Sequence, residues 1–321
     1  MGTLLRFALA FLFPIVASQQ CAVAAPIVNH SGYEVQLLAD GIGAATGVTV
    51  GEDQNLYVTD YAGGRILRVD LATSFPAAPE VIATGIAYPT DIAMLDGRLF
   101  VSSSTGPSSH LYEIGPGGTS ESFTSGFSYP ISLAAFGNTM YVTNGGDGMI
   151  VRVDVNGDIT PFVSGFGGPH GPFGISFDAA GNAYIVVHGT GSVYKVAQDG
   201  AATFIGQVSP FGGVFTGVIP DHGVLVSDVL DGSLYLLLDG EKQLFASGFA
   251  GKTNAPFNGP NDIAVDGDGT IYVADADHIW RISPIEVSEP PTIALLLGIL
   301  ATGFRRKGCG WLARVVRVQR C

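Results

Sequence analysis

Ile271-Tyr272-Val273-Ala274-Asp275 closes a run that begins at Gly259-Pro260-Asn261-Asp262-Ile263-Ala264 and turns at Asp266-Gly267-Asp268-Gly269. Five residues of β-branched and aromatic character ending in a short polar one read as a half-buried strand, and the Asp-Gly cluster before them reads as a tight turn. The same character returns at Leu56-Tyr57-Val58-Thr59-Asp60, Leu99-Phe100-Val101-Ser102-Ser103, Met140-Tyr141-Val142-Thr143-Asn144, Ala183-Tyr184-Ile185-Val186-Val187 and Val224-Leu225-Val226-Ser227-Asp228. Successive copies are 43, 41, 43, 41 and 47 residues apart. A fixed period of that length marks a repeat architecture.

Each copy follows an apolar stretch and a turn, and precedes a third strand such as Ile66-Leu67-Arg68-Val69 or Ile279-Trp280-Arg281-Ile282. A fourth segment then ends in Gly, as in Phe162-Val163-Ser164-Gly165. Four strands repeated six times predict an all-β, six-bladed β-propeller over residues 26–285, so a length that suits two domains is used by one closed ring. The sixth copy runs out after Ile282, while Val35-Gln36-Leu37-Leu38-Ala39-Asp40-Gly41 has fourth-strand character and no repeat of its own. Pairing this segment with the last third strand completes the last blade, closes the ring and removes an open sheet edge.

Composition agrees. The chain has 45 Gly in 321 residues and only 13% charged residues, which favours many short strands and turns over helical bundles or coiled coils. Between Glu34 and Glu289 lie all 28 acids and eight bases, a formal charge of −20. A body of that sign repels phosphate backbones and anionic lipid, which excludes nucleic acid as a partner.

The quoted run from Gly259 to Asp275 resembles NHL repeats and the related senescence-marker-protein and gluconolactonase propellers, a resemblance that covers nearly all of the body. It implies the fold. For activity it implies a range, because such propellers serve as lactonases, lyases, hydrolases and binding modules. The lactonase propellers use a Glu at the start of the first blade, where this chain has Ala44-Ala45-Thr46-Gly47. By position, Asn261 matches an inner-strand Asn of that family, and Asp228 or Asp275 matches its Asp.

The two ends read as addresses. Residues 1–24 carry Arg6, an apolar run from Phe7 to Ala17 and the small-residue pattern Ala22-Val23-Ala24, the layout of a secretory signal peptide. Residues 287–307 begin Val287-Ser288-Glu289-Pro290-Pro291, continue with an apolar run from Thr292 to Phe304 and end in Arg305-Arg306-Lys307. This resembles the PEP-CTERM sorting signal, with Ser288 in place of the first Pro, a short transmembrane helix and a basic cluster. The resemblance implies an exosortase-type processing enzyme as partner. It also implies transient association with the inner membrane and a final location at the cell surface or in the extracellular matrix. Residues 308–321 form a basic tail of unknown role. Once the leader is removed, Cys309 and Cys321 remain, so the body itself is free of cysteine and of Cys-type zinc sites.

In a propeller the fourth-to-first and second-to-third connections open on one face around the central channel. Positions expected there are Asp60, Asp91, Ser103, Asn144, His170, His188, Asp228, Asn261, Asp262 and Asp275. Carboxylates, an amide and imidazoles at one mouth can hold a divalent cation such as Ca or Zn, with Asp228, Asp275, Asn261, His170 and His188 as the candidate ligands. The same Asp residues, at strand ends, can instead accept backbone N–H bonds of the following turn. His170, in Gly167-Gly168-Pro169-His170-Gly171-Pro172, and His188 are candidates for a facing pair that acts as general base and partner, or else are loop and turn histidines. Two functional readings follow. One is an exported, non-enzymatic binding or scaffold module for a polysaccharide, peptide or protein. The other is a metal-dependent hydrolase, lactonase-like, or a lyase working at the same mouth.

Overall fold

A computed structural model describes residues 24–107, 109–167, 171–249 and 259–285. Compact packing joins the chain up to Pro284, and Ile285 begins a separate unit. The residues proposed for sorting, Ser288, Glu289, Pro290, Arg305, Arg306 and Lys307, the leader segment 1–23 and His170 all lie outside the described residues. Among the described residues no helix is long and apolar enough to cross a membrane.

The fold is an all-β propeller of antiparallel four-stranded units. Three sheets have four strands, from Pro89–Leu95 to Ser120–Phe127, from Pro130–Phe136 to Ile159–Ser164, and from Pro172–Phe177 to Ala202–Gln207. A fourth sheet runs from Gly213–Ile219 to Glu241–Ser247 and gains a fifth strand, Ile27–Val28, on its outer edge. The remaining strands form one sheet of six, in the order Pro260–Val265, Ile271–Pro284, Tyr33–Val50, Asn55–Asp60, Arg65–Asp70 and Glu80–Thr84.

The expectation of six separate blades is therefore corrected to five sheets. The cause lies in two long strands. Tyr33–Val50 pairs through Tyr33 to Asp40 with the segment from His278 to Pro284, then through Ala45 to Val50 with Leu56 to Asp60. Gly41 and Gly43, at φ +75° and +106°, bend it between the two pairings without interrupting its strand character. Ile271–Pro284 is bent likewise, at Ala276 with φ +50°. A straight strand would hold Ile271 and Ile282 more than about 35 Å apart. Instead Ile271, Val273, Trp280 and Ile282 share one apolar cluster, so the strand doubles back on itself. The first and last sequence repeats thus merge into a single sheet, and the pairing expected of Val35 to Gly41 with the last third strand is its seam, with Val35 opposite Ile282 and Leu37 opposite Trp280.

The core lies between neighbouring sheets. Phe100, Leu111 and Phe127 of one sheet pack with Leu133, Met140 and Val142 of the next, and Phe245, Leu234 and Ile219 pack with Trp280, Val273 and Ile263. Sheets packed through such large buried side chains hold their inner strands in place around the channel.

Candidate functional site

Six inner strands wall the central channel, one from each sequence repeat. Aligned on their pairing with the second strands, their first residues are Ala45, Pro89, Pro130, Pro172, Gly213 and Pro260. Between this position and the third residue along, the register slips in every copy, which is a β-bulge. The bulge leaves a buried N–H without a ladder partner, and in four of the six repeats a hydroxyl on the second strand takes it. Thr59 accepts from Gly47, Ser102 from Asp91, Thr143 from Ser132 and Ser227 from Phe215, at 2.7–3.1 Å. Thr143 also donates to Phe173 of the next sheet, and Thr46 and Thr90 donate to Pro89 and Pro130, so the inner strands are laced together around the ring. Asn261 does this at the merged sheet, its Nδ2 donating to Ala45 at 2.8 Å. The second-strand residue beside it is Ala274, which has no hydroxyl, and Asn261 Oδ1 is buried with no hydrogen-bond partner.

At the bulge itself Asp91 and Asp262 stand in the repeats on either side of Gly47. A Cβ at residue 47 would come within 2.6 Å of Asp91 Cα and 2.7 Å of its Oδ1, so glycine is what lets the two carboxyl groups meet. Asp262 accepts from Val48 N and Ile263 N, and Asp91 from Ile92 N and Leu133 N, each at 2.7 Å. Burial, and then the charge of Asp262, pushes the Asp91 carboxyl well above the usual carboxylate range; burial likewise raises Asp262, against the pull of its backbone donors. The pair therefore keeps a proton that two exposed carboxylates would lose. It closes one end of a channel of about 290 Å³, whose lining continues through Met94, Ala135, Phe177 and Val265 toward the first-to-second-strand turns.

The opposite face of the ring is the mouth. Here the second strands end in Asp60, Ser103, Asn144, Val187, Asp228 and Asp275. These residues brace the connections. Asp60 accepts from Ala44 N and Gly63 N and pairs with Arg65 at 2.6 Å; Asn144 accepts from Ser128 N; Asp228 accepts from Ser209 N and Leu230 N. Asp275 Oδ2 accepts from Trp280 Nε1 at 3.2 Å. The turn-bracing alternative thus describes the contacts of Asp60 and Asp228, whose oxygens are already directed at backbone donors. Among the described residues no three His, Cys, Asp or Glu side chains come together as a cation shell. Asp228 lies in a different sheet from Asn261 and Asp275. His188 is buried, with Nδ1 2.9 Å from Gly213 O and its ring stacked 4.2 Å from Phe173.

Three aromatic side chains and Leu230 are the large apolar groups exposed at the mouth among the described residues. In the connections that lead into the inner strands, a residue one or two places before the strand adopts a positive φ: Gly43, Tyr88, Tyr129, Phe211 and Gly259, at φ between +49° and +106°. Tyr88, Tyr129 and Phe211 are 53%, 49% and 45% exposed. Tyr88 lies 5.2 Å from the ring of Tyr61, and Phe211 meets His188 edge-on at 5.8 Å.

Residues 257–278 match the NHL repeat. The matched segment holds Asn261, Asp262 and Asp275, the inner and second strands of the last repeat. No curated protein matches the chain. Solved structures with the same fold include a gluconolactonase from Xanthomonas campestris, at 14% identity over 81% of this chain and 95% of that one, TM-score 0.62. A streptogramin B lyase aligns at 12% identity over 78% and 97%, TM-score 0.56. A catalytically inactive virginiamycin B lyase from Staphylococcus aureus, solved with quinupristin, aligns at 15% identity over 78% and 99%, TM-score 0.57. At these identities the likeness is one of fold. The NHL repeat accounts for the bulged inner strand and its polar second-strand end, while the exposed aromatics belong to other repeats. Their signal in the sequence is the doublet Tyr88-Pro89 and Tyr129-Pro130, repeated at the same place in consecutive repeats.

Proposed function

We propose that this protein is an exported propeller whose mouth binds a ligand, acting as a binding or scaffold module. The observation that carries the reading is the division of labour at the mouth. The polar strand-end side chains are turned inward to brace the connections, and three aromatic rings are turned outward in a backbone conformation that glycine adopts at the lowest energy. For this reading the merged sheet counts as two units, giving six repeats around one channel, with the N-terminal segment completing the last. Export by the leader and processing near Glu289-Pro290 by an exosortase-type enzyme complete the proposal, and they rest on the sequence of the two ends.

A second reading is a hydrolase, lactonase-like, or a lyase using His188, the imidazole stacked on Phe173 and met edge-on by Phe211. The gluconolactonase and lyase neighbours favour it. The two readings separate in one experiment. Purified protein, assayed against an aldonolactone and a streptogramin B with and without added Ca²⁺ and Zn²⁺, shows no turnover if the mouth only binds. Turnover abolished by His188→Ala establishes the second reading instead. For the address, mass spectrometry of the surface or medium fraction is expected to find a C-terminus before Thr292; peptides from residues 305–321 on the exported protein defeat it.

A further inference from the structure

We infer that the mouth is a platform for a neutral polysaccharide, with Tyr88, Tyr129 and Phe211 as stacking surfaces for successive sugar rings. The inference rests on the binding-module reading and names its ligand class.

The argument begins from backbone strain. A left-handed conformation is open to glycine at no steric cost, whereas a bulky side chain there is uncommon and strained by about 1 kcal/mol. Glycine takes a positive φ in the same connection of other repeats, at Gly43 and Gly259. Three other repeats place aromatics in this connection, each with about half of its surface left to solvent. A strained aromatic that keeps half of its surface exposed offers a ring face for contact with something outside the chain. Because Tyr88 and Tyr129 directly precede their inner strands, at Pro89 and Pro130, and Phe211 lies two residues before Gly213, the rings are displayed around the mouth near the ends of three inner strands rather than gathered in one hole.

The chemistry around the rings selects the ligand. Among the described residues of the mouth connections there is no lysine or arginine, and Arg65, which starts the adjoining strand, is held by Asp60. Asp147 and Asp231 add negative charge on the same side. The described part of the face thus carries carboxylates and no base beyond the paired Arg65, which disfavours anionic glycans, phosphates and acidic peptides there. The second-to-third-strand connections of the same face carry short hydroxyl and glycine stretches, Ser104-Thr105-Gly106 and Gly189-Thr190-Gly191. A pyranose ring suits such a surface: its face of axial C–H bonds lies on an aromatic ring, while its rim of hydroxyls meets water, serine and backbone. Tyrosine fits twice over, offering an apolar face and a wet hydroxyl at small entropic cost.

Affinity electrophoresis of the whole protein in gels cast with hydroxyethylcellulose, galactomannan or dextran, with alginate as the anionic comparison, tests the inference. Retardation is expected in at least one neutral gel and not in alginate. Tyr88→Ala, Tyr129→Ala and Phe211→Ala should each weaken it at least about fivefold. The glycine variants supply a second readout. Tyr88→Gly and Tyr129→Gly should lose retardation while melting at the same temperature or up to about 2 °C higher, because the strain is relieved. Glycine variants that melt several degrees lower would show that the rings serve the fold, and unchanged retardation in all variants would remove them from the site; either result overturns the inference. Retardation by alginate alone overturns it too. If no neutral gel retards the protein but a random peptide library is captured through the same tyrosines, the polysaccharide assignment falls and the binding module stands. Lactone or streptogramin turnover that depends on His188 removes both.

Discussion

Replacing Thr143 with valine removes one hydroxyl and almost no volume, and it tests the lacing of the inner strands directly. Thr143 is fully buried. Its oxygen accepts from Ser132 N at 2.9 Å within its own sheet and donates to Phe173 O at 2.7 Å in the next. Valine leaves a buried N–H and a buried C=O without these partners, at about 1–3 kcal/mol for each unsatisfied group, so a total loss of about 2–6 kcal/mol is expected. For a body of about 260 residues the unfolding entropy near the transition is about 0.55 kcal/mol per degree, so the melting temperature should fall by about 4–11 °C. Scanning calorimetry on the variant, beside Thr203→Val in an exposed outer strand, gives the comparison. If Thr143→Val melts within a degree of the wild type, or no lower than Thr203→Val, the hydroxyl is not what satisfies the bulge and the account of ring cohesion is wrong.

Three further outcomes follow from the same geometry. Ala274→Ser restores the hydroxyl that the last repeat lacks beside the unpartnered Asn261 Oδ1, and it should raise stability by about 0.5–1.5 kcal/mol, read as a higher urea midpoint at unchanged slope. The Asp91–Asp262 pair should make the fold pH-sensitive. Its folded pKa values lie above the unfolded ones, so its contribution is fully present below about pH 4 and is lost as the pH rises through about 7, the value for Asp262. Thermal melts should lose on the order of 1–4 kcal/mol of stability across that window, and Asp262→Asn should flatten the slope; a wild-type curve that is already flat refutes the shared proton. Deleting residues 24–41 strips the seam from the segment His278 to Pro284 and uncovers Trp280 and Ile282, so the truncated protein should aggregate or unfold without a cooperative transition. A truncated protein that melts where the intact one does excludes this closure.

The architecture could be read from one line of sequence because its physics is local. Apolar residues two apart on the second strands define the buried face, and the fourth letter of the same motif, Thr59, Ser102, Thr143 or Ser227, is the hydroxyl that repairs the bulge. The closing strand was also legible, since 35–41 has fourth-strand character and no repeat of its own. The merging of two repeats into one sheet was not, because it depends on bends at Gly41 to Gly43 and at Ala276 that keep strand hydrogen bonds through a corner. The mouth was half legible. Asp60, Asp228, Asp275 and His188 do lie at or beside second-strand ends, but whether an Asp faces a cation or a backbone N–H depends on the path of the next loop, which its own spacing does not encode. The contribution of Tyr88, Tyr129 and Phe211 was hidden for a related reason. An aromatic before an inner strand reads as core until its backbone is known to be left-handed.

The seam between Tyr33 and Pro284 joins residues that leave the ribosome at opposite ends of synthesis. At about 5–20 residues per second the first partner waits about 12–50 s for the second. Throughout that interval Tyr33 to Asp40 is a strand without a neighbour on the side that the last repeat will occupy. Its exposed positions are Glu34, Gln36 and Asp40, and its less exposed ones are Tyr33, Val35 and Leu37. Charged and amide side chains on the outward face discourage a second nascent chain from docking there, and the strand keeps its apolar face for the one partner that arrives last. Ring closure is thus a terminal event in the life of each chain. A protein of this design cannot reach its final cohesion while any part of its last repeat is still being made.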